Sequence, residues 1–293
     1  LPLRQWVLRI TEYADRLLAG LDDVDWPAST MTMQREWIGR SVGAEVRFGV
    51  EGSREVLEVF TTRPDTLFGA TFMVLAPDHP LVRKVVSDEQ REEVDAYVAK
   101  AASKSDRDRQ KSKAKTGVFT GGYAINPVND ARVPIWIADY VLLQYGTGAI
   151  MAVPAHDTRD FEFATQFGIP IVEVVSETGA PRKEPLAEAM TGIGVAVNSG
   201  RYDGTPTGEF KERISRDLEA AGKGEGRIEY KLRDWIFSRQ RYWGEPIPIY
   251  FPVTTEGDPR RGAPHTIHYE TPLALEAGEL PLELPELEDY QPG

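Results

Sequence analysis

Two short stretches of this 293-residue chain gather side chains able to do chemistry. The first is Thr61-Thr62-Arg63-Pro64-Asp65-Thr66. Three threonines and an aspartate within six residues make a compact cluster of hydrogen-bond donors and acceptors. Pro64 keeps Arg63 out of the helical region, so the chain turns there, and Asp65 or Thr66 can cap the turn that follows. The same residues also read as no more than a capped turn with satisfied hydroxyls. The second stretch runs from Tyr145 to Asp160 (YGTGAIMAVPAHDTRD). Gly146 and Gly148 allow a tight turn or a close backbone approach. Ala149–Val153 reads as a short buried strand that Pro154 stops, and Asp157 is a good helix N-cap. Asp160 then lies in the first helical turn, where the dipole favours a carboxylate. Asp157 and Asp160, three apart, project on nearby faces. They form either an anionic mouth beside a small apolar pocket, suited to an ammonium, or a capping box with Asp in place of Glu.

The elements that must hold these stretches are legible from periodicity. Leu3, Val7, Ile10, Ala14, Leu17 and Leu21 recur at helical spacing, with Gly20 near the stop. A second short helix is expected over Thr30–Ile38. Strands are expected at Ala44–Val50, Glu55–Phe60, Ala70–Leu75, Val133–Ile137, Tyr140–Leu143, Ala149–Val153 and Ile169–Val175. Helices are expected over Asp88–Ala102, from near Asp157 to before Gly168, and over Phe210–Ala221. Residues 100–115 carry seven basic residues against two acids without an apolar period, which reads as a basic loop. A glycine-rich break spans Gly222–Gly226. The run Arg227–Gly244 is dense in basic and aromatic residues, and the Pro- and Glu-rich last 40 residues are expected to pack poorly.

Composition narrows the function classes. The net charge of −12 argues against a free-standing nucleic-acid binder. Residues 254–293 contribute −7 of it, so attraction to a phosphate backbone must be local. There is no cysteine, hence no disulfide, thiol nucleophile or zinc–thiolate site. His265 and His268 form an HxxH pair without a third ligand, and no metal site is expected. Gly146-Thr147-Gly148 lacks the remaining spacing of a dinucleotide loop. No stretch approaches the roughly 18 apolar residues of a membrane helix, and the lack of cysteine suits a cytoplasmic protein. The start at Leu1 has neither an initiator Met nor the order of a signal peptide, so the chain is expected to be a piece of a longer one.

Together the two stretches resemble the editing domain of leucyl-tRNA synthetases. Thr30–Ser41 (TMTMQREWIGRS) is similar to the segment that leads into that domain, and Tyr230–Gly244 (YKLRDWIFSRQRYWG) to the return into the aminoacylation core. Isoleucyl- and valyl-tRNA synthetases carry related domains. The MQREWIGR and RQRYWG segments look leucine-specific and bacterial in type. The likeness fades after Ile249. Lys111–Lys115 superficially resembles the KMSKS signature of the core but lies inside the insertion, and no HIGH-type signature exists, so this chain is not expected to activate amino acids.

The resemblance implies a mixed α/β fold: a strand-rich, β-barrel-like core with surrounding helices, of class I aminoacyl-tRNA synthetases. Its implied layout is a helical flank at 1–41, the editing domain at 42–226 and a return segment at 227–293. It implies hydrolysis of the ester of mischarged tRNA-Leu (norvaline, isoleucine, methionine) by direct water attack. Thr61 and Thr62 would lie by the reacting carbonyl, Asp160 would hold the substrate ammonium, and Thr66 would block leucine. Arg63, Asp65, Tyr145, Met151, Val153, His156 and Asp157 would line or edge the amino-acid site. Arg233, Arg239 and Arg241 would touch tRNA, or else belong to an interface with the core. Implied partners are the acceptor end of tRNA-Leu and the rest of the synthetase in cis. No cofactor is implied for editing, since ATP and Mg belong to the aminoacylation core. The competing expectation is a tRNA-binding fragment without activity of its own.

Overall fold

The computed structural model describes residues 5–103, 116–143, 146–182, 184–237 and 246–283. Two compact units emerge, Thr32–Lys231 and a second made of Leu1–Met31 with Leu232–Gly293. No helix among the described residues is long and apolar enough to cross a membrane.

The first expected helix is mostly something else. Val7–Leu8 (β1) is a strand, Ile10–Tyr13 a 3-10 turn, and only Ala14–Gly20 (α1) is α-helical. Val7 and Leu8 pair with Ile236 and Trp235, and both the N–H and the hydroxyl of Thr11 donate to Asp234. Tertiary partners take the backbone groups that a longer helix would need, which overrides the apolar period. Helix α2 spans Ala28–Ile38.

The larger unit is a mixed α/β body built on one seven-stranded sheet. Strands β2 (Arg40–Val50) and β3 (Val56–Thr61) form a hairpin with Ala44 opposite Thr61. β4 is Phe72–Leu75, α3 Val82–Val85 and α4 Arg91–Ala102. β5 (Gly117–Ile125), β6 (Arg132–Ala138) and β7 (Ala149–Ala152) follow. Helix α5 is Thr158–Phe167, β8 Val175–Ser176, β9 Val195–Ala196, α6 Thr207–Ala220 and β10 Gly224–Tyr230. The pairing runs β10-β2-β5-β6-β4-β7, with β3 also on β2 and β4 parallel to β6. β3 runs alongside β7, so the strands curl round to meet without a ladder at that seam among the described residues. Arg40 faces Tyr230 at the unit's mouth. The boundaries expected at 41/42 and 226/227 therefore fall inside the paired β2–β10 ribbon.

Alternating residues of four strands (Val46, Phe48, Leu57, Val59, Met73, Leu75, Ile135, Ile137) share one core with Phe210, Ile214 and Leu218 of α6. Phe72 and Val74 point the other way, onto Phe163 and Ala164 of α5. β4 is thus buried on both faces, which is why it reads as an unbroken apolar run. Each fully buried side chain of this size contributes about 1.5–3 kcal/mol.

Four sequence expectations differ from the structure. Tyr140–Leu143 is a turn closed by Val141 N–H on Ala138 O; Val141 and Leu142 are apolar because they are buried, and a short apolar run does not distinguish the two. Strand β5 escapes notice because Thr120-Gly121-Gly122 interrupts it, where the register shifts between Phe119 and Tyr123. Of Ile169–Val175 only Val175 is in a strand. The Gly222–Gly226 break already contains the start of β10, whose Gly224 lies where a Cβ would meet Glu45 O at 2.5 Å. The basic loop lies outside the described residues from 104 to 115.

The second unit adds β11 (Trp235–Ile236), β12 (Ile249–Tyr250), β13 (Val253–Thr255), β14 (His265–Ile267) and β15 (Leu273–Ala274). They form two-stranded ribbons, β12 with β15 and β13 with β14, and remain largely exposed.

Candidate functional site

Thr61 ends β3, and its hydroxyl oxygen accepts the Arg63 N–H at 3.0 Å. A hydroxyl that accepts there keeps its own proton to donate. Thr62 is exposed. Pro64–Gly69 is a 3-10 turn begun by Arg63 without a side-chain cap. The expected cap by Asp65 or Thr66 does not form. Both Asp65 oxygens are taken by the Arg63 guanidinium, at 2.8 to 3.1 Å, and the Thr66 hydroxyl donates back to Arg63 O at 2.9 Å. Asp65 and Thr66 are buried, and so is their turn.

The second stretch begins with Gly146 and Gly148, both at positive φ. Gly148 is also a close approach: a Cβ there would meet Leu143 Cδ1 at 2.7 Å. Tyr145 lies outside the described residues. Met151 on β7 sits opposite Met73 and packs against the main core; Val153 is buried. Asp157 caps α5 through the N–H groups of Arg159 (2.8 Å) and Asp160 (3.2 Å). Asp160 does not complete a capping box. It reaches back instead, accepting the Val153 N–H at 2.9 Å, and is only 5% exposed. Tyr140 lies close enough to feel this charge: burial first, then Asp160, raise its phenol well above the ordinary value.

The two stretches meet in space. Gly69, which ends the 3-10 turn that continues the first stretch, leaves no room for a Cβ, which would lie 3.2 Å from Val153 and 2.8 Å from Val174. A bridge lies on another side. Arg63 donates to the carbonyls of Thr191 and Gly192, both at 3.3 Å, while Met190 N–H donates to Ala155 O at 2.8 Å. His156 completes it: its Nδ1–H donates to Met190 O at 2.9 Å, and its Nε2 accepts from Val174 and Val175 N–H at 3.0 and 3.1 Å. A carbonyl can only accept and an N–H only donate, so the ring is neutral with its proton on Nδ1. The ring thus takes the Val174 N–H just before β8 begins at Val175. Nothing in the sequence flags Met190–Gly192, because it enters through backbone carbonyls that any residue could supply. Of the expected tRNA contacts, Arg233 is exposed in the second unit, and Arg239 and Arg241 lie outside the described residues.

Burial lowers the pKa of His156 from its ordinary 6.5, against the Met190 bond that raises it and with Arg63 adding to the fall; burial likewise lowers that of His79. Below 6.5 the unfolded chain takes up protons that the folded chain refuses. The stability these groups supply is complete above that value and is lost as pH falls through the depressed ones. Urea unfolding on either side of the ordinary histidine value should show a lower midpoint on the acid side. A midpoint that stays put would contradict the buried neutral assignment.

Comparison with known proteins follows the same lines. A family described as "Leucyl-tRNA synthetase, editing domain" matches residues 35–219, and one described as "tRNA synthetases class I (I, L, M and V)" matches 225–261. The chain is 57% identical to a leucine--tRNA ligase of Sorangium cellulosum, over 100% of this chain and 36% of that protein. It is 51% identical to one of Elusimicrobium minutum, over 99% and 32%. The chain thus spans about a third of the length of the curated relatives it matches. A crystal structure of Agrobacterium radiobacter K84 agnB2 LeuRS, in a ternary complex with tRNA and LeuAMS, superposes with a TM-score of 0.71 at 35% identity, covering 99% of this chain and 31% of that one. With one family accounting for most of the sheet and both stretches of the site, and a second taking over where β10 leads out, this chain belongs to the leucyl-tRNA synthetase editing-domain family.

Proposed function

We propose that the unit Thr32–Lys231 hydrolyses the ester that joins a wrong amino acid (norvaline, isoleucine or methionine) to the terminal adenosine of tRNA-Leu. The observation that carries this is the convergence of the Thr61–Thr66 turn with the Val153–Asp160 segment, through Gly69 and through the Met190–Gly192 bridge. Discrimination by about one methylene in a single pocket is worth only ~1–3 kcal/mol, so a second, hydrolytic site has a purpose.

In this reading the Asp160 carboxylate pairs with the substrate ammonium. Met151 and Val153, with Tyr145, line the side-chain pocket, and Asp157 and His156 lie at its edge. Arg63 and Asp65, locked to each other, hold the turn. Thr61 and Thr62 help place the water and donate to the carbonyl oxygen as it gains charge. The water oxygen bonds to the ester carbon, the bond to the ribose oxygen breaks, and that oxygen takes up the water proton, relayed by the neighbouring ribose hydroxyl. Free amino acid and uncharged tRNA result. No metal or organic cofactor enters this scheme; ATP and Mg belong with the aminoacylation core of the longer relatives. The setting is cytoplasmic, with the remainder of a synthetase in cis.

Incubating the chain with norvalyl-tRNA-Leu and leucyl-tRNA-Leu and following release of amino acid tests the reading. Loss of norvaline well above the spontaneous rate, with leucine spared, is expected. Equal, spontaneous loss of both would leave a tRNA-binding module without chemistry of its own. The tRNA contact has its own test. Replacing Arg233, Arg239 and Arg241 by Gln should weaken binding and reduce the slope of log K against log salt by about 2–3 if each meets a phosphate. An unchanged slope would assign these residues to an interface with the synthetase core.

A further inference from the structure

The Met190–Gly192 bridge is anchored on both sides by the two stretches proposed to do the chemistry. Arg63 holds it from the Thr61–Thr66 turn. Ala155 O and His156 hold it from the segment that leads into α5. The chain surfaces along the strap itself: Thr191 and Gly192 are exposed, and Ile193 is 79% exposed. The strap is therefore held through its backbone while its outer face meets solvent. His156 is 7% exposed, and both of its ring nitrogens are committed to backbone groups. The charges of Arg63, Asp65 and Glu173 act on the ring, and Glu173 is itself paired with Arg182.

We infer that His156 is a positioning residue. Its Nδ1–H sets the Met190–Gly192 strap, and through it the spacing between the threonine turn and the Asp160 helix start, without touching substrate through either nitrogen. This rests on the hydrolytic reading above. A cation at this position would have to put a second proton between Nε2 and two N–H groups that already point at it, so the clamp works only with a neutral ring. The two ring nitrogens do separable jobs. Nδ1 holds the strap, whereas Nε2 satisfies the amides of Val174 and Val175.

Two substitutions divide those jobs. His156→Asn places an amide N–H near the former Nδ1 and can still donate to Met190 O. His156→Gln places an amide oxygen near the former Nε2 and can still accept from Val174 and Val175. The measurement is single-turnover release of norvaline from norvalyl-tRNA-Leu against enzyme concentration, together with amide hydrogen exchange. Asn is expected to keep the maximal rate within a few-fold. Gln and Ala are expected to lose at least tenfold in maximal rate, with little change in the concentration for half-saturation. Exchange at Met190 should quicken in Gln and Ala but not in Asn. Parental maximal rates in all three variants, or Gln surpassing Asn, would overturn the positioning role while leaving the hydrolytic reading intact. A parental chain that releases no norvaline would overturn both. Should the variants not fold, nitrogen-15 spectra of histidine in the unaltered protein decide. A proton on Nδ1 and a bare Nε2 are expected, and the opposite tautomer or an imidazolium at neutral pH would overturn the inference.

Discussion

Asp160→Asn should cut the release of norvaline from norvalyl-tRNA-Leu by about 10- to 150-fold, with the unit still folded. The figure is that of losing a charge-assisted hydrogen bond of roughly 1.5–3 kcal/mol. Asparagine is the informative replacement because Asp160 has a structural duty as well: it accepts the Val153 N–H at 2.9 Å. The amide oxygen of Asn can keep that bond while the charge that meets the ammonium is gone. Asp160→Ala should lose the activity too, but it also strands a buried N–H, costing about 1–3 kcal/mol of stability. Thermal unfolding should therefore separate the two variants even where the deacylation assay does not. Parental release by Asp160→Asn would remove Asp160 from the ammonium role.

The second large effect is a gain. Thr66→Ser and Thr66→Ala should both begin to release leucine from correctly charged leucyl-tRNA-Leu while still clearing norvalyl-tRNA-Leu. The Thr66 hydroxyl donates to Arg63 O at 2.9 Å, which fixes χ1 and with it the direction of the methyl. Serine keeps that bond and deletes only the methyl, so new leucine release by Ser would identify the methyl as the block. Alanine removes the hydroxyl as well and should be less stable by about 1 kcal/mol. A folded Thr66→Ser and Thr66→Ala that both spare leucyl-tRNA would leave Thr66 as a turn residue only.

The outline of this fold is readable where strands such as β3 and β6 alternate in burial and helices carry stops. Helix α5 is the clearest case, with Asp157 as its cap and Gly168 in the left-handed region after it. The site was readable as two local stretches, since turn chemistry and capping act over a few residues. Their convergence was not. It depends on Gly69, whose missing side chain matters only once Val153 and Val174 lie against it, and on Met190–Gly192, which contributes backbone alone. His156 shows the same limit. The resemblance puts it at the edge of the amino-acid site, but no local pattern reveals that the bonds occupying both nitrogens reach residues 18 to 34 positions away. The first helix failed in the opposite direction, because a sound apolar period was overruled by Trp235, Ile236 and Asp234 from the far end of the chain.

The pairing of Arg40 with Tyr230 bears on the order in which the chain can fold. Val7 and Leu8 must find Ile236 and Trp235 across the whole intervening sequence. With that sequence unfolded, closing roughly 226 residues costs about 4 kcal/mol more than closing a two-residue hairpin. Once β2 and β10 have zipped, their ends stand only ~5 Å apart, and the loop left for β1 and β11 to close shrinks to roughly 35 residues, 9–39 and 231–234. Folding of Thr32–Lys231 thereby lowers the cost of β1–β11 pairing, and mutations that slow the large unit should delay that pairing as well.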